Sequence, residues 1–365
     1  MSDDAPTPPP VGRFGAISRR IRDAVKPGEA KFKTINLALQ GGGAHGAFTW
    51  GVLDYLIEDG RLDFEAISGT SAGAMNAVVL ADGFARDGAN GARERLEAFW
   101  KGVSREGIGG RAEGILGPIL SFWRMPNIPN LPSLPFFGDW SRMSPYAYNP
   151  LNINPLRDLL EQLVDFEMVR ANEGLRLFIS ATNVRTGKVK LFKTITADVI
   201  MASACLPHLF HAVEIDGEAY WDGGYTGNPA LFPFFTETHS EDILLVQINP
   251  VRREDIPTSG PEIMERLSEI TFNASLLREF RAIDFVNRLM DEGRLDAKRY
   301  RRNRLHRIDA TEALAAHTAS SKLDTSWSFF QELRDTGREA AEAWLKRHYD
   351  DIGVKATLDL RNEFM

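Results

Sequence analysis

The chain has 365 residues, a formal net charge of −7 and 43% hydrophobic residues, enough to bury a large core. The acidic balance argues against general nucleic-acid binding, and no run of about 18 apolar residues suggests a membrane span. The single cysteine, Cys205, excludes an internal disulfide framework, and no spacing typical of a metal site is present, so we expect no metal and no cofactor.

The first 33 residues are predicted to lie outside the folded core. Residues 1–10 are polar and proline-rich, which is typical of disorder. Phe14, Ile17 and Ile21 then recur at helical spacing beside several arginines, which predicts a short basic amphipathic helix. This helix is expected either to dock on the domain surface or to lie on anionic lipid. Since the segment lacks the apolar stretch of a signal peptide, we expect a cytoplasmic protein, with peripheral contact at the inner face of a membrane left open.

A glycine-rich loop follows the first predicted strand. Residues 34–40 have the pattern of a buried strand, and a helical pattern runs from the loop to Asp59-Gly60. The glycine loop is Gly41-Gly42-Gly43-Ala44-His45-Gly46. It spells Gly-x-Gly-x-x-Gly, but a dinucleotide site also needs an acidic residue at the far end of the next strand, and that strand ends at Ser68-Gly69. Three consecutive glycines favour an oxyanion hole, with a plain tight turn as the remaining interpretation.

The pentapeptide Gly69-Thr70-Ser71-Ala72-Gly73 lies between an apolar run and a helical pattern. This arrangement is typical of a nucleophile elbow, where small neighbours allow a serine to adopt a strained turn that exposes its hydroxyl. The first N–H groups of the following helix would face negative charge on a bound substrate. We predict that Ser71 is a nucleophile.

A predicted hairpin supplies a candidate base. Residues 213–221 read as two short strands around an Asp216-Gly217 turn, and Asp222-Gly223-Gly224 follows the second strand. Asp222 is expected to be exposed beside the two glycines, either as the base for Ser71 or as a residue that caps its own turn. A Ser–Asp–His triad with His239 is the competing arrangement, although His239 precedes a predicted strand and hydrolase sites gather at the carboxyl ends of strands.

Together these blocks resemble the patatin-like phospholipase family. The glycine loop, the Gly69–Gly73 pentapeptide and the Asp222-Gly223-Gly224 turn occur in the family's order and spacing, and Ala202–Pro207 and Asn228-Pro229 also fit. The resemblance covers about residues 34–250. It implies a three-layer α/β/α fold with a mainly parallel central sheet, followed by C-terminal helices. One departure is His45, which stands where the family commonly carries Arg or Lys.

The resemblance also implies the site and its chemistry. It assigns Ser71 and Asp222 as a catalytic dyad without a histidine, and it assigns the N–H groups of Gly41, Gly42 and Gly43 as the oxyanion hole. Five further glycines are implied to support these motifs: Gly46, Gly69, Gly73, Gly223 and Gly224. The implied activity is serine-dependent hydrolysis of lipid acyl esters, of the phospholipase A or lysophospholipase type. The alternatives are an acyltransferase that uses the same acyl-serine, an esterase on another substrate, and a non-catalytic lipid adaptor.

Two further regions differ from the predicted catalytic domain, residues 34–250. Within it, residues 107–150 interleave seven prolines with seven aromatic residues, which predicts an irregular lid or acyl-binding wall, or a long connection against the core. Residues 251–365 contain two long amphipathic patterns separated by a basic cluster and a strand-like run. We predict a mainly helical C-terminal extension that packs on the catalytic domain, with self-association as an alternative role.

Overall fold

The computed structural model of the chain describes residues 32–104, 144–296, 299–311 and 325–364. The predicted disordered tail and amphipathic helix lie outside the described residues. Most of the proline- and aromatic-rich region, residues 107–143, lies outside them as well. Among the described helices, none combines the length and the apolar character that a membrane crossing requires.

The described residues form one mixed sheet of eight strands. Along the sheet the order is β5-β6-β3-β2-β1-β7-β8, with β4 beside β3. The pairs β3/β2, β2/β1, β1/β7 and β7/β8 are parallel, and the pairs that involve β4, β5 and β6 are antiparallel. The strands are β1 Lys33–Leu39, β2 Leu62–Gly69, β3 Arg176–Asn183, β4 Val189–Phe192, β5 Val213–Ile215, β6 Glu218–Asp222, β7 Asp242–Gln247 and β8 Arg304–Asp309.

Ten α-helices accompany the sheet within the described residues. Three are long: α1 begins directly after the glycine loop, α2 begins directly after Ser71 and bends at Asp87 and Gly88, and α8 begins with a capping box formed by Ser259 and Glu262. The helices are α1 Gly46–Asp59, α2 Ala72–Val103, α3 Pro145–Tyr148, α4 Pro155–Leu163, α5 Phe166–Ala171, α6 Ala197–Ser203, α7 Phe232–Glu237, α8 Gly260–Asp291, α9 Trp327–His348 and α10 Leu360–Phe364.

The sheet separates two apolar cores, because successive side chains of a strand point to opposite faces. In β1, Leu37 and Leu39 join the core with α1, α2 and α9, whereas Ala38 joins the core with α7 and α8. Both faces are therefore covered by helices, and the predicted three-layer α/β/α fold with a mainly parallel sheet is confirmed.

The residues after 250 are built into this fold. Strand β8 pairs with β7 over six residues, and α9 packs so closely on α1 that a Cβ on Gly51 would lie 1.9 Å from the carbonyl oxygen of Arg334. The Lys33 Nζ at the start of β1 donates a 2.6 Å hydrogen bond to the carbonyl oxygen of Tyr349, just beyond α9. The first strand and the last long helix thus belong to the same folded unit.

Candidate active site

Ser71 occupies the turn between β2 and α2. Its backbone has φ 54° and ψ −122°, a left-handed conformation that costs a non-glycine residue energy and is found mostly at functional sites. The turn closes only with small residues, since a Cβ on Gly73 would lie 2.2 Å from the carbonyl oxygen of Leu39. Ser71 is the N-cap residue of α2, but its hydroxyl does not cap the helix. The strained turn expected of an elbow is therefore present, and the Ser71 hydroxyl does not cap the helix.

The backbone of the elbow is held by a residue to which the sequence assigned no role. The N–H of Ser71 donates a 2.9 Å hydrogen bond to the Oγ of Ser203, the buried last residue of α6. The Ser71 amide is thereby excluded as an oxyanion donor. Ser203 lies in the segment that resembles the family, but only the folded chain shows what its hydroxyl contacts.

Replacing Ser203 with alanine should therefore damage the elbow. Without the hydroxyl the Ser71 amide has lost its acceptor, which typically costs about 1–3 kcal/mol of folding free energy. We expect a lower urea midpoint together with a lower kcat, whereas Ser203→Thr, which keeps the acceptor, should recover part of both. An Ser203→Ala variant with unchanged stability and kcat would show that the strained turn does not need this bond.

Asp222 ends β6, opposite Ala181 of β3, and is fully buried. The expectation that Asp222 is exposed was wrong, because α8 covers the turn that follows it: a Cβ on Gly224 would lie 2.8 Å from the ring of Phe272. Asp222 Oδ1 accepts a 2.6 Å hydrogen bond from the N–H of Gly224. Burial raises the pKa of Asp222 to about 7, although the Gly224 amide and the Ser71 hydroxyl each oppose this increase.

The Ser71 hydroxyl thus lies close enough to Asp222 to lower the pKa of its carboxyl. Within the described residues, Asp222 Oδ2 nevertheless has no well-aligned hydrogen-bond partner. A loose contact of this kind is common between catalytic groups before substrate binds. A carboxyl group with a pKa near neutrality can accept a proton at physiological pH, which an ordinary aspartate does poorly.

The glycine loop lies against Ser71, because a Cβ on Gly41 would approach the Cβ of Ser71 to 2.7 Å. The Gly41 N–H already donates a 2.7 Å hydrogen bond to Asn228 Oδ1, and the Gly41 carbonyl accepts one from Asn249 Nδ2 at 2.7 Å. Gly43 has φ 61°, which favours glycine. Because the Gly41 N–H already donates to Asn228, the N–H groups of Gly42 and Gly43 remain as the proposed oxyanion donors.

The supporting glycines contact the same motifs. Each approaches a neighbour too closely for a side chain to be added without a shift: Gly46 approaches Ala72, Gly69 approaches Gly73, Gly223 approaches Ser180, and Gly224 approaches Phe272. The glycine loop, the elbow and the Asp222 turn therefore meet at the carboxyl ends of β1, β2 and β6.

Two of the described histidines, His45 of the glycine loop and His239 of the competing triad, bear on the alternatives to a Ser–Asp pair. His45 is buried, with its ring edge-to-face to Phe329 of α9 at 6.3 Å between centroids. His239 is exposed and pairs with Glu65 at 2.8 Å. Glu65 lies four residues before the end of β2, on the order of 13 Å along the strand from the elbow. The structure does not bring His239 to Ser71, and the triad arrangement loses its support.

A family model described as patatin-like phospholipase matches residues 37–235, more than half of the chain. The chain belongs to the patatin-like phospholipase family. The matched residues contain the glycine loop, Ser71 and Asp222, so all three motifs of this patatin-like phospholipase lie within the family region. Membership supports hydrolysis of lipid esters as its general activity.

Two solved structures resemble the patatin-like phospholipase at low identity. VipD from Legionella pneumophila is 16% identical with a TM-score of 0.37, and the match covers 84% of this chain and 68% of VipD. ExoU from the type III secretion system of Pseudomonas aeruginosa, solved with SpcU, is 15% identical with a TM-score of 0.30. That match covers 87% of this chain and 54% of ExoU, so the chain spans about half the length of ExoU. No curated protein matches the chain in sequence.

Proposed function

We propose that this chain is a serine-dependent lipid acyl hydrolase that works through an acyl-enzyme on Ser71, with Asp222 as its base. The observation that carries the proposal is the strained Ser71 turn beside a buried carboxyl group whose pKa is raised to about 7. A dyad of this kind suits esters, because the oxygen leaving group of an ester is expelled more readily than the nitrogen leaving group of an amide.

In the first step, Asp222 accepts the hydroxyl proton while the Ser71 Oγ forms a bond to the ester carbonyl carbon. Negative charge then develops on the carbonyl oxygen. In this proposal, the Gly42 and Gly43 N–H groups stabilise that charge together with the amino end of α2, which begins directly after Ser71.

In the second step, the protonated Asp222 returns its proton to the leaving alcohol as the carbon–oxygen bond breaks. Water then attacks the acyl-serine: Asp222 takes a proton from the water, the fatty acid leaves, and the proton returns to Ser71. One carboxyl group thus performs both proton transfers that a histidine performs in a triad. Burial favours both proton transfers, because it raises the pKa of Asp222 to about 7, close to physiological pH.

The proposed substrate is a phospholipid or lysophospholipid met at a membrane surface by peripheral contact. This substrate class rests on family membership. If the acyl group passed to an alcohol acceptor instead of water, the same dyad would make the chain an acyltransferase.

The test combines active-site labelling with product analysis. A fluorophosphonate probe should modify Ser71, and fragmentation of the labelled peptide should separate Ser71 from Ser68, whose buried hydroxyl donates to the Ala230 carbonyl at 2.6 Å. Vesicles of phosphatidylcholine and phosphatidylglycerol should release fatty acid and lysophospholipid, with and without added glycerol. Labelling of another residue would refute the assignment of Ser71. An acylated glycerol product would indicate the transferase. Labelled protein that releases no fatty acid from the vesicles would refute phospholipid as the substrate.

A further inference from the structure

Helix α8 extends beyond the sheet on the side of the candidate active site. Its Asn273 Oδ1 accepts a 2.9 Å hydrogen bond from the Nε2 of Gln40, which directly follows the carboxyl end of β1. Its Asn287 Nδ2 donates at 2.9 Å to the carbonyl of Asn303, which directly precedes β8 at the opposite edge. The part of α8 between these contacts spans the sheet, so residues 260–271 lie beyond the edge where the site lies.

The extended part of α8 carries its charged residues on the side that faces the loop before the helix. Glu269 is buried and pairs with Arg253 of that loop at 2.6 Å and with Arg266 at 3.1 Å. Glu265 pairs with the same Arg253 at 3.1 Å, and Glu262 is held in the capping box. These contacts fix one side of the helix against the protein.

The opposite side carries an apolar cluster, which we call the α8 stripe. Its members recur at helical spacing and are between 42% and 65% exposed: Ile263, Met264, Leu267 and Ile270. Exposed apolar clusters mark surfaces that contact a membrane or a partner protein. Phe272, two residues after the stripe, packs on Gly224 and on Tyr225, with 5.6 Å between the two ring centroids. The stripe is thus tied, within one helical turn, to the turn that follows Asp222.

A basic residue follows the stripe along the same side of α8. Arg278 is exposed and comes eleven residues after Leu267, about three helical turns, so both lie on one line along the helix. The rise from Ile270 to Arg278 is about 12 Å. An amphipathic helix on a membrane buries its apolar face about 5–10 Å into the boundary between headgroups and acyl chains, so Arg278 would lie at the level of the lipid phosphates.

A phospholipid bilayer supplies a partner for both features. Its acyl chains match the stripe, and its phosphates match the charge of Arg278. Family membership also supports lipid esters as substrates, so the same bilayer would hold the substrate of the site. A protein partner explains the stripe equally well but gives no reason for its place beside a lipid hydrolase site.

We propose that residues 263–278 of α8 form a membrane-docking surface: the stripe enters the acyl-chain boundary of a phospholipid bilayer, Arg278 contacts the phosphates, and the Ser71–Asp222 site is held beside the same bilayer. This inference rests on the proposed function. The competing occupants of the stripe are a second copy of the chain and another part of the same chain.

The first experiment measures binding without hydrolysis, in the full chain with Ser71→Ala. Leu267→Glu should weaken binding to vesicles of phosphatidylcholine and phosphatidylglycerol by at least about tenfold, because a charge replaces a buried apolar side chain. Arg278→Gln should weaken it by about fivefold at low salt and by less at high salt. The matched control is Phe285→Glu, which should bind like its parent, because Phe285 is 54% exposed on the same side of α8 but lies near its other end.

A dye on the stripe identifies what covers it. Leu267→Cys and Phe285→Cys are each labelled with an environment-sensitive nitrobenzoxadiazole dye, which the buried Cys205 should not take up. Vesicles should shift the emission at position 267 to the blue and leave position 285 unchanged. Vesicle binding without a shift at position 267 would overturn the inference. So would a blue shift without vesicles, which would assign the stripe to a second copy if it grew with protein concentration and to the same chain if it did not.

Activity separates this inference from the proposed function. With Ser71 intact, Leu267→Glu should lower fatty-acid release from vesicles by at least about tenfold relative to hydrolysis of 4-nitrophenyl butyrate in water. Equal loss on both substrates would indicate a damaged site and overturn the docking role. A wild-type chain that hydrolyses the soluble ester but does not bind vesicles would overturn the inference and leave the proposed hydrolase. Vesicle binding through the stripe without hydrolysis of either ester would instead refute the proposed function.

Discussion

Replacement of Ser71 by alanine is expected to lower fatty-acid release by about 10⁶-fold, the scale on which other serine hydrolases lose activity with their nucleophile. The nearby Ser203 is not expected to replace it, because the Ser203 Oγ accepts a hydrogen bond from the backbone N–H at position 71. Alanine keeps the Cβ and adopts the same strained φ of 54°, so the melting temperature should not change. Fatty-acid release from vesicles and thermal unfolding measure the two effects.

The control for Ser71→Ala is Ser268→Ala. Ser268 is exposed on α8, and its hydroxyl donates only to the Met264 carbonyl, at 3.1 Å. This variant should match the wild type in activity and stability. Residual release from Ser71→Ala within a factor of ten of the wild type would exclude a covalent intermediate on Ser71.

Replacement of Asp222 by asparagine is expected to lower kcat/KM by about 10⁴-fold, as when a serine hydrolase loses the carboxylate that supports its base. The amide has nearly the same shape but cannot accept the Ser71 proton. Asp216→Asn, at the exposed turn of the same hairpin with φ 53°, is the matched control, because asparagine tolerates this conformation. Wild-type kcat/KM in Asp222→Asn would refute Asp222 as the base.

The raised pKa of Asp222 predicts the pH dependence of the wild-type rate. The base must be ionised, so kcat/KM should rise tenfold per pH unit below about pH 7 and reach a plateau above it. A profile that is flat between pH 5 and 8 would mean that another group limits the rate.

The same pKa predicts an effect on stability with a defined sign. Between the ordinary pKa of 3.8 and the folded value of about 7, the folded chain binds more protons than the unfolded chain. The contribution of Asp222 to folding stability therefore falls as the pH rises through this window. The amide in the Asp222→Asn variant does not titrate, so the variant does not lose this stability as the pH rises. The difference in melting temperature, variant minus wild type, should therefore be larger at pH 8 than at pH 5. Thermal unfolding across this pH range measures the difference.

Local patterns in the sequence were enough to predict the glycine loop, the elbow and the hairpin. Each is encoded within about ten residues: Gly69 and Gly73 close one turn, and Asp216-Gly217 closes another. The order and spacing of these motifs carried the resemblance to the patatin-like phospholipase family, and that resemblance implied the fold.

The environment of each site group could not be predicted in the same way. An aspartate followed by two glycines reads as an exposed turn, but Asp222 is fully buried, and Phe272 of α8, fifty residues further along the chain, packs against Gly224. The contacts of Ser203 and Asn228 likewise join residues more than a hundred positions apart. The residues were visible in the sequence, but the pKa and the hydrogen bonds that define their roles depend on packing between distant segments.

The closeness of α9 to α1 has a consequence for when the chain becomes active. Lys33 is bonded to a residue 316 positions later, and Arg338 pairs with Glu58 across 280 positions. Contacts this distant in sequence form late in folding, because a long loop must close before they stabilise anything. The helix that follows the glycine loop thus gains its final neighbour only after residue 349 has left the ribosome. We therefore expect nascent chains to lack the proposed acyl hydrolase activity until synthesis has passed this point.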